Sequence, residues 1–197
     1  KDIVILKKLK VDYLLIPKKN DIYKNKKSMK IKIKKKDKIL CAKYRKGHFE
    51  GVLAVINQFL LKINAKFLYL GEKDFQQVYL IKNFIKEKFK TKIINCKTVR
   101  INNSLPFSSR NALLDEKNFK KAVSISLLIK KFYFSIKKNF KNIKNLQKVK
   151  NSIKEKNVEI EYFEIRNKKN LSKNINKSNF KIFIAYTIGK VRLIDNF

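Results

Sequence analysis

Lys66-Phe67-Leu68-Tyr69-Leu70-Gly71-Glu72-Lys73-Asp74-Phe75-Gln76-Gln77-Val78 is the stretch whose reading decides the fold. Lys66 to Leu70 reads as a buried strand that runs directly into Gly71. From Asp74 to Phe89 the period changes, and Phe75, Val78, Ile81, Ile85 and Phe89 fall on one face of a helix. Ile93 to Val99 reads as the next strand, and Gly51 to Ile63 upstream carries a second helical stripe through Val52, Val55, Ile56, Phe59, Leu60 and Ile63. Strand, helix and strand at this spacing predict a parallel βαβ unit, with its ligands at the carboxyl edge of the strands.

Toward the amino end, residues 3–9 read as the end of a helix and Tyr13 to Ile16 as a short apolar strand stopped by Pro17. Ile31 and Ile33 alternate with lysine as an edge strand does. Toward the carboxyl end the character changes near Thr98. A hairpin through Asn102-Asn103-Ser104 is expected, then a helix from Asp115 to Lys138 striped by Phe119, Val123, Ser126, Ile129, Tyr133 and Ile136. A weaker helix over Leu146 to Lys156 follows, and strands Val158 to Arg166 and Phe180 to Arg192 flank a polar loop over 167–179. The second half therefore reads as an α+β unit, without internal repeats.

The 197 residues hold 50 Lys and Arg against 15 Asp and Glu, a formal charge of +35, yet 44% are hydrophobic, so the chain can build a core and is no disordered basic tail. The longest apolar or small-residue run, Ala122 to Ile129, is far short of the roughly 18 residues that cross a bilayer. No membrane partner is expected. Lys, Ile, Asn and Phe alone fill 107 positions, the usage that A+T-rich codons supply. A reader of nucleic acid gathers its basic residues on one face and leans on Arg, whereas here lysine is spread throughout and arginine is scarce. The one dense run, Lys24 to Lys38, fits either a phosphate-binding patch or a solvated loop. Cys41 and Cys96 sit among apolar neighbours as packed thiols, and with the sole histidine, His48, they build neither a four-ligand zinc site nor a disulfide framework. A cytoplasmic setting fits that usage.

Residues that the lysine-rich bias disfavours mark where chemistry or backbone geometry resisted it. All four glycines lie in short segments: Arg45-Lys46-Gly47-His48-Phe49-Glu50-Gly51, Gly71-Glu72-Lys73-Asp74, and Gly189 ahead of Val191-Arg192-Leu193-Ile194-Asp195-Asn196. At Gly71 a strand ends, Lys73 offers a compact cation and the next helix points free N–H groups the same way, which makes a phosphate cradle. Lys73 and Asp74 equally fit a surface pair with Asp74 as helix cap. Gln77, one turn into that helix, is a candidate for a hydroxyl or carboxylate. Ser108-Ser109-Arg110-Asn111 places two hydroxyls and a guanidinium before a helix, suited to an anion whose charge grows during reaction, or else to a capped turn with Arg110 paired to an acid. His48 has no Ser/Asp partners at the spacing of a hydrolase triad.

Taken in order, these segments resemble the pantoate–β-alanine ligase (pantothenate synthetase) family. Arg45 to Val52 is similar to its Arg-Pro-Gly-His-Phe-x-Gly-Val, and Leu70 to Gln77 to its Phe-Gly-Glu-Lys-Asp-x-Gln-Gln. Thr98-Val99-Arg100 with Ser108 to Asn111 matches its Thr-Val-Arg and Ser-Ser-Arg-Asn, and Gly189 to Asn196 resembles its terminus. The resemblance implies an α/β fold: the C-terminal part of a Rossmann-like nucleotidyltransferase domain over residues 1–97, followed by a small α+β lid domain over 98–197. It implies ATP-driven condensation of (R)-pantoate with β-alanine through a pantoyl-adenylate, releasing AMP and pyrophosphate, with Mg²⁺ accompanying the nucleotide. By the same likeness Gly71, Glu72, Lys73, Asp74, Val99, Phe107, Ser108, Ser109 and Arg110 bind ATP. Lys73, Ser108, Ser109 and Arg110 stabilise the reacting phosphate, while Gln77, His48 and Arg45 face pantoate. No protein metal ligands are implied. A homodimer is implied for the full-length enzyme.

The likeness has gaps. Pro is replaced by Lys46, Phe by Leu70, and Arg-Glu-x-Asp-Gly by Arg100-Ile101-Asn102-Asn103-Ser104, which weakens the hairpin turn. The family's His-x-Gly-His segment and second pantoate-binding glutamine have no counterpart, and the sequence opens on Lys1. These 197 residues alone are therefore expected to lack activity. A lysine-rich nucleic-acid-binding protein and a decayed, non-catalytic ligase remnant remain as alternatives.

Overall fold

A computed structural model describes residues 2–23, 31–102 and 104–197. Helices α1 (Asp2–Lys8) and α2 (Lys19–Tyr23) come first, and a short α3 (Cys41–Tyr44) leads to α4 (His48–Lys62). Strand β1 (Phe67–Gly71), a 3₁₀ turn (Glu72–Asp74), α5 (Phe75–Ile85) and β2 (Lys92–Cys96) follow. β1 and β2 pair in parallel, Phe67 opposite Lys92 and Gly71 opposite Cys96, so the expected βαβ unit forms.

Its details differ from the sequence reading. β1 is covered on one face only: Leu68, Leu70 and Ile93 pack on the core, while Phe67, Tyr69 and Ile94 are exposed. Helix α4 starts at His48 rather than Gly51, because Gly47 takes φ +76 and turns the chain into it. Cys41 is buried, whereas Cys96 at the end of β2 is exposed. Tyr13–Ile16 forms no strand and lies exposed, since no other strand among the described residues offers it hydrogen bonds. Ile31 and Ile33 form no strand either, although both pack on one core. Of the Lys24 to Lys38 run, residues 24–30 lie outside those described.

The second half opens with the hairpin β3 (Arg100–Ile101) and β4 (Leu105–Pro106), antiparallel as expected. A 3₁₀ helix (Ser109–Leu113) and α6 (Glu116–Lys138) follow, the latter capped by Asp115, whose Oδ1 accepts from the Asn118 N–H at 2.7 Å. Then come α7 (Leu146–Lys154), β5 (Glu159–Asn167), β6 (Phe180–Ile188) and β7 (Val191–Asn196). The expected single strand from Phe180 to Arg192 is thus two strands, folded back at Gly189-Lys190 with φ +56 at Gly189. The apolar run hid the turn because β6, the central strand, is buried on both faces. Ile182, Ile184 and Tyr186 meet α6 and α7 through Ile125, Ile129, Ile136 and Ile153. Phe183 and Ala185 face the other way, with Tyr162, and join Leu40, Phe49, Leu53 and Ile81 of the first half. The carboxyl-terminal sheet therefore sits between two layers, and β7 runs past the end of β1.

Candidate active site

The loop after β1 lies at the carboxyl edge of the parallel pair, where the sequence put the anion cradle. Gly71 has an ordinary extended backbone, and no atom lies within 4 Å of where a Cβ would stand, so that side of the loop is open. Asp74 occupies the first boundary of α5 but makes no side-chain cap bond, so capping does not explain it. Lys73 is half-buried, and its Nζ donates to the Phe107 carbonyl at 3.4 Å. Burial pushes the Lys73 ammonium below the usual lysine pKa; Asp74 pulls it back up, and nearby Arg110 lowers it further.

The hairpin β3–β4 carries the second arm to the same place. Ser108 Oγ accepts from the Arg110 N–H at 3.3 Å, and Arg110 Nη1 donates to the Arg192 carbonyl at 3.1 Å instead of pairing an acid among the described residues. Ser108, Ser109 and Arg110 line a cavity of about 210 Å³ together with Arg45, Lys73, Asp74 and Arg192. Two segments 35 positions apart in the chain thus present an ammonium, a guanidinium and two hydroxyls to one space.

A second cavity adjoins the first across Arg45, Lys73, Asp74 and Ile194. His48, Gln77, Cys41 and Tyr162 line it, with Phe49 and Phe183 as its apolar wall. Burial and then the Arg45 charge hold the His48 imidazole below the usual histidine pKa, against Asp74, so it is neutral at neutral pH and can accept a hydrogen bond. Gln76 and Gln77 have separate tasks. Gln76 is buried and its Nε2 donates to the carbonyls of Asp37 at 3.2 Å and Ile39 at 2.7 Å, tying the loop before α3 to α5. Gln77 stays at the cavity wall.

Arg45, His48, Lys73, Asp74, Gln77, Ser108, Ser109 and Arg110 are therefore brought together. Gly71 and Glu72 form the foot of the loop, while Val99 and Phe107 stand outside the two cavity walls, joined by a Phe107 N–H to Val99 carbonyl bond of 2.9 Å. Sequence reasoning missed a supporting set. Arg100 makes a two-bond ion pair with buried Asp195 at 2.8 and 2.9 Å, and Arg192 pairs twice with Glu161 at 2.7 Å. Asn196 Nδ2 donates to the carbonyls of Glu72 at 3.0 Å and Lys73 at 2.8 Å. The signal was present in the closing Arg192-Leu193-Ile194-Asp195-Asn196 segment, but its partners are remote in sequence.

Among the described residues no group of three or more His, Cys, Asp and Glu could hold a metal, and no helix is long and apolar enough to cross a membrane. Fold and cleft together define an α/β protein with a cationic cleft at the carboxyl edge of its parallel strands. The model of one family, pantoate-beta-alanine ligase, matches residues 1–197. The chain is 40% identical over 198 aligned residues to the pantothenate synthetase of Francisella tularensis subsp. novicida, covering 100% of itself and 68% of that protein. A solved pantoate-beta-alanine ligase from Francisella tularensis, in complex with beta-gamma ATP and beta-alanine, superposes with a TM-score of 0.81 at 38% identity, over 100% of this chain and 68% of that one. A pantothenate synthetase from Thermus thermophilus shares the fold at a TM-score of 0.86 and 22% identity, over 100% and 72%. The chain belongs to the pantoate–β-alanine ligase family.

Proposed function

We propose that this chain binds ATP in the cavity between Lys73 and Ser108–Arg110, and takes (R)-pantoate and β-alanine at the adjoining one, whose room of about 30 Å³ must widen to admit them. The observation that carries this is the meeting of Lys73, Ser108, Ser109 and Arg110 on one cavity, with Gln77 and His48 next to it. In the reading, the pantoate carboxylate attacks the α-phosphorus of ATP. The bond to the bridging oxygen breaks, pyrophosphate leaves, and a pantoyl-adenylate forms. Lys73, Arg110 and the two hydroxyls stabilise the charge that grows on the phosphate oxygens. The β-alanine amine then attacks the acyl carbon and AMP leaves.

ATP contacts from Gly71, Glu72, Val99 and Phe107 belong to the same reading through the family resemblance; the open side of Gly71 supports the first. Mg²⁺ fits as a companion of the phosphates, a mode that needs only one or two carboxylates, and Asp74 at both cavities is the residue to supply one. It would offset phosphate charge. The division into residues 1–97 and 98–197, a homodimer of the full-length enzyme and a cytoplasmic location rest on the family likeness.

Calorimetry with ATP tests the site: the chain binds, and Lys73→Ala and Ser108→Ala/Ser109→Ala lose binding. A non-hydrolysable acyl-sulfamate analogue of pantoyl-adenylate carries both the adenylate and the pantoyl group and is expected to bind about 100-fold more tightly than ATP. Equal or weaker binding of the analogue would sink the adenylate route. A chain that bound DNA with a steep salt dependence and no ATP would instead be the nucleic-acid-binding alternative.

A further inference from the structure

The three polar residues Arg192, Asp195 and Asn196 of β7 make contacts that a mere edge strand does not need. Asn196 is buried, and its Nδ2 amide group donates to two carbonyls of the Glu72–Asp74 turn. That turn carries Lys73. Asp195 grips Arg100 through both carboxylate oxygens, and Arg100 in turn donates to the carbonyls of Ser104 at 2.7 Å and Asn196 at 3.0 Å, which fixes the hairpin leading to Ser108. The Arg192 carbonyl accepts from Arg110. One strand therefore references both anion-binding arms to the same backbone.

We propose that Asn196 is a positioning residue for the anion-binding loop. Its carboxamide fixes the Glu72 and Lys73 peptide groups, and so the direction from which the Lys73 ammonium enters the cavity, while Asp195 and Arg100 hold Asn196 itself in place. Two partly buried carbonyls facing β7 without a donor would turn toward water, and the turn with them. The Lys73 ammonium, which now reaches the Phe107 carbonyl at 3.4 Å, would then enter the cavity from another direction. The effect on ATP rests on the nucleotide reading above; the effect on the loop does not.

The test compares the whole chain with Asn196→Ala and Asn196→Asp, and with Ile153→Val, which removes one methylene from a fully buried site in α7 and serves as a control for lost stability. ATP affinity is measured by calorimetry well below each melting temperature, and the carbonyl ¹³C resonances of Glu72 and Lys73 by nuclear magnetic resonance. Both Asn196 variants are expected to bind ATP roughly tenfold more weakly and to move those two carbonyl resonances upfield, as lost hydrogen bonds do. Ile153→Val is expected to do neither. Unchanged carbonyl resonances in folded Asn196 variants overturn the proposal, and so does wild-type ATP affinity in them. If the wild-type chain binds no ATP while the carbonyl resonances still depend on Asn196, the nucleotide reading has failed and the positioning of the loop stands.

Discussion

Lys73 shows how much a single residue's neighbourhood changes its chemistry. As a free lysine it would be a solvated cation; here burial destabilises its charge and Asp74 only partly restores it. A lysine whose pKa is lower folded than unfolded weakens the fold while charged; the penalty fades as pH rises through the lowered folded pKa and is gone above the unfolded pKa of 10.5. Lys73→Met should therefore raise the melting temperature of the ATP-free chain at pH 7 by roughly 1–2 °C, a figure discounted for half exposure. The same variant should bind ATP about ten- to a hundredfold more weakly. In the wild type, ATP affinity should fall as pH rises through the lowered pKa, at a lower pH than an ordinary lysine would set, and this alkaline limb should be missing from Lys73→Met. Calorimetry across pH 7–10 reads both effects. Legibility at this scale was uneven. Lys73 stood out through Gly71 at the end of a strand, and Ser108 through its segment with Arg110, one of the few arginines, whereas Asn196 did not, since its role is defined by two carbonyls more than 120 positions away in the chain.

Among elements, the β6–β7 hairpin has the most consequence for the site. Its two-residue turn needs a left-handed backbone at Gly189, with Ile188 still paired to Val191 across it. Gly189→Ala should cost about 1 kcal/mol, or roughly 2–4 °C in melting temperature, because a Cβ is disfavoured at that φ rather than through a clash; Asn118 Nδ2, the nearest atom, would lie 3.9 Å from a Cβ there. Gly189→Asn should cost less, since asparagine tolerates the region, and a thermal melt of the two variants separates backbone strain from crowding. The turn was missed in the sequence because periodicity reports which faces are wet. A strand buried on both sides shows no alternation, and Ile182 to Tyr186 is an unbroken run with no charged residue. Helix α6 was read with near-correct bounds for the opposite reason: one face packs and the other meets water.

Across the whole molecule, the halves on either side of residue 98 are fastened by a few polar bonds and one shared apolar layer. Asn196 to the Glu72 and Lys73 carbonyls is one such bond between the halves, while within the second half Arg100 to Asp195 fastens the β3–β4 hairpin to β7, with side chains 18% and 5% exposed. Replacing Arg100 with Met should destabilise the chain by about 3 kcal/mol, because the Asp195 carboxylate is left buried with only the Asn196 N–H and the Ser126 hydroxyl. Urea unfolding of Arg100→Met against wild type checks this, and an unchanged midpoint would show the pair to be dispensable. By itself the sequence determined the βαβ unit, the long helix and the segments that carry charge-stabilising groups, since these follow from local periodicity and from residues within a few positions of one another. Only the tertiary structure decided that β6 is a central strand covered on both faces, that β7 braces the Lys73 loop, and that the Lys73 and Ser108–Arg110 arms share one cavity. Those outcomes depend on contacts between segments tens of residues apart, whose energies arise from packing and desolvation that no local pattern records.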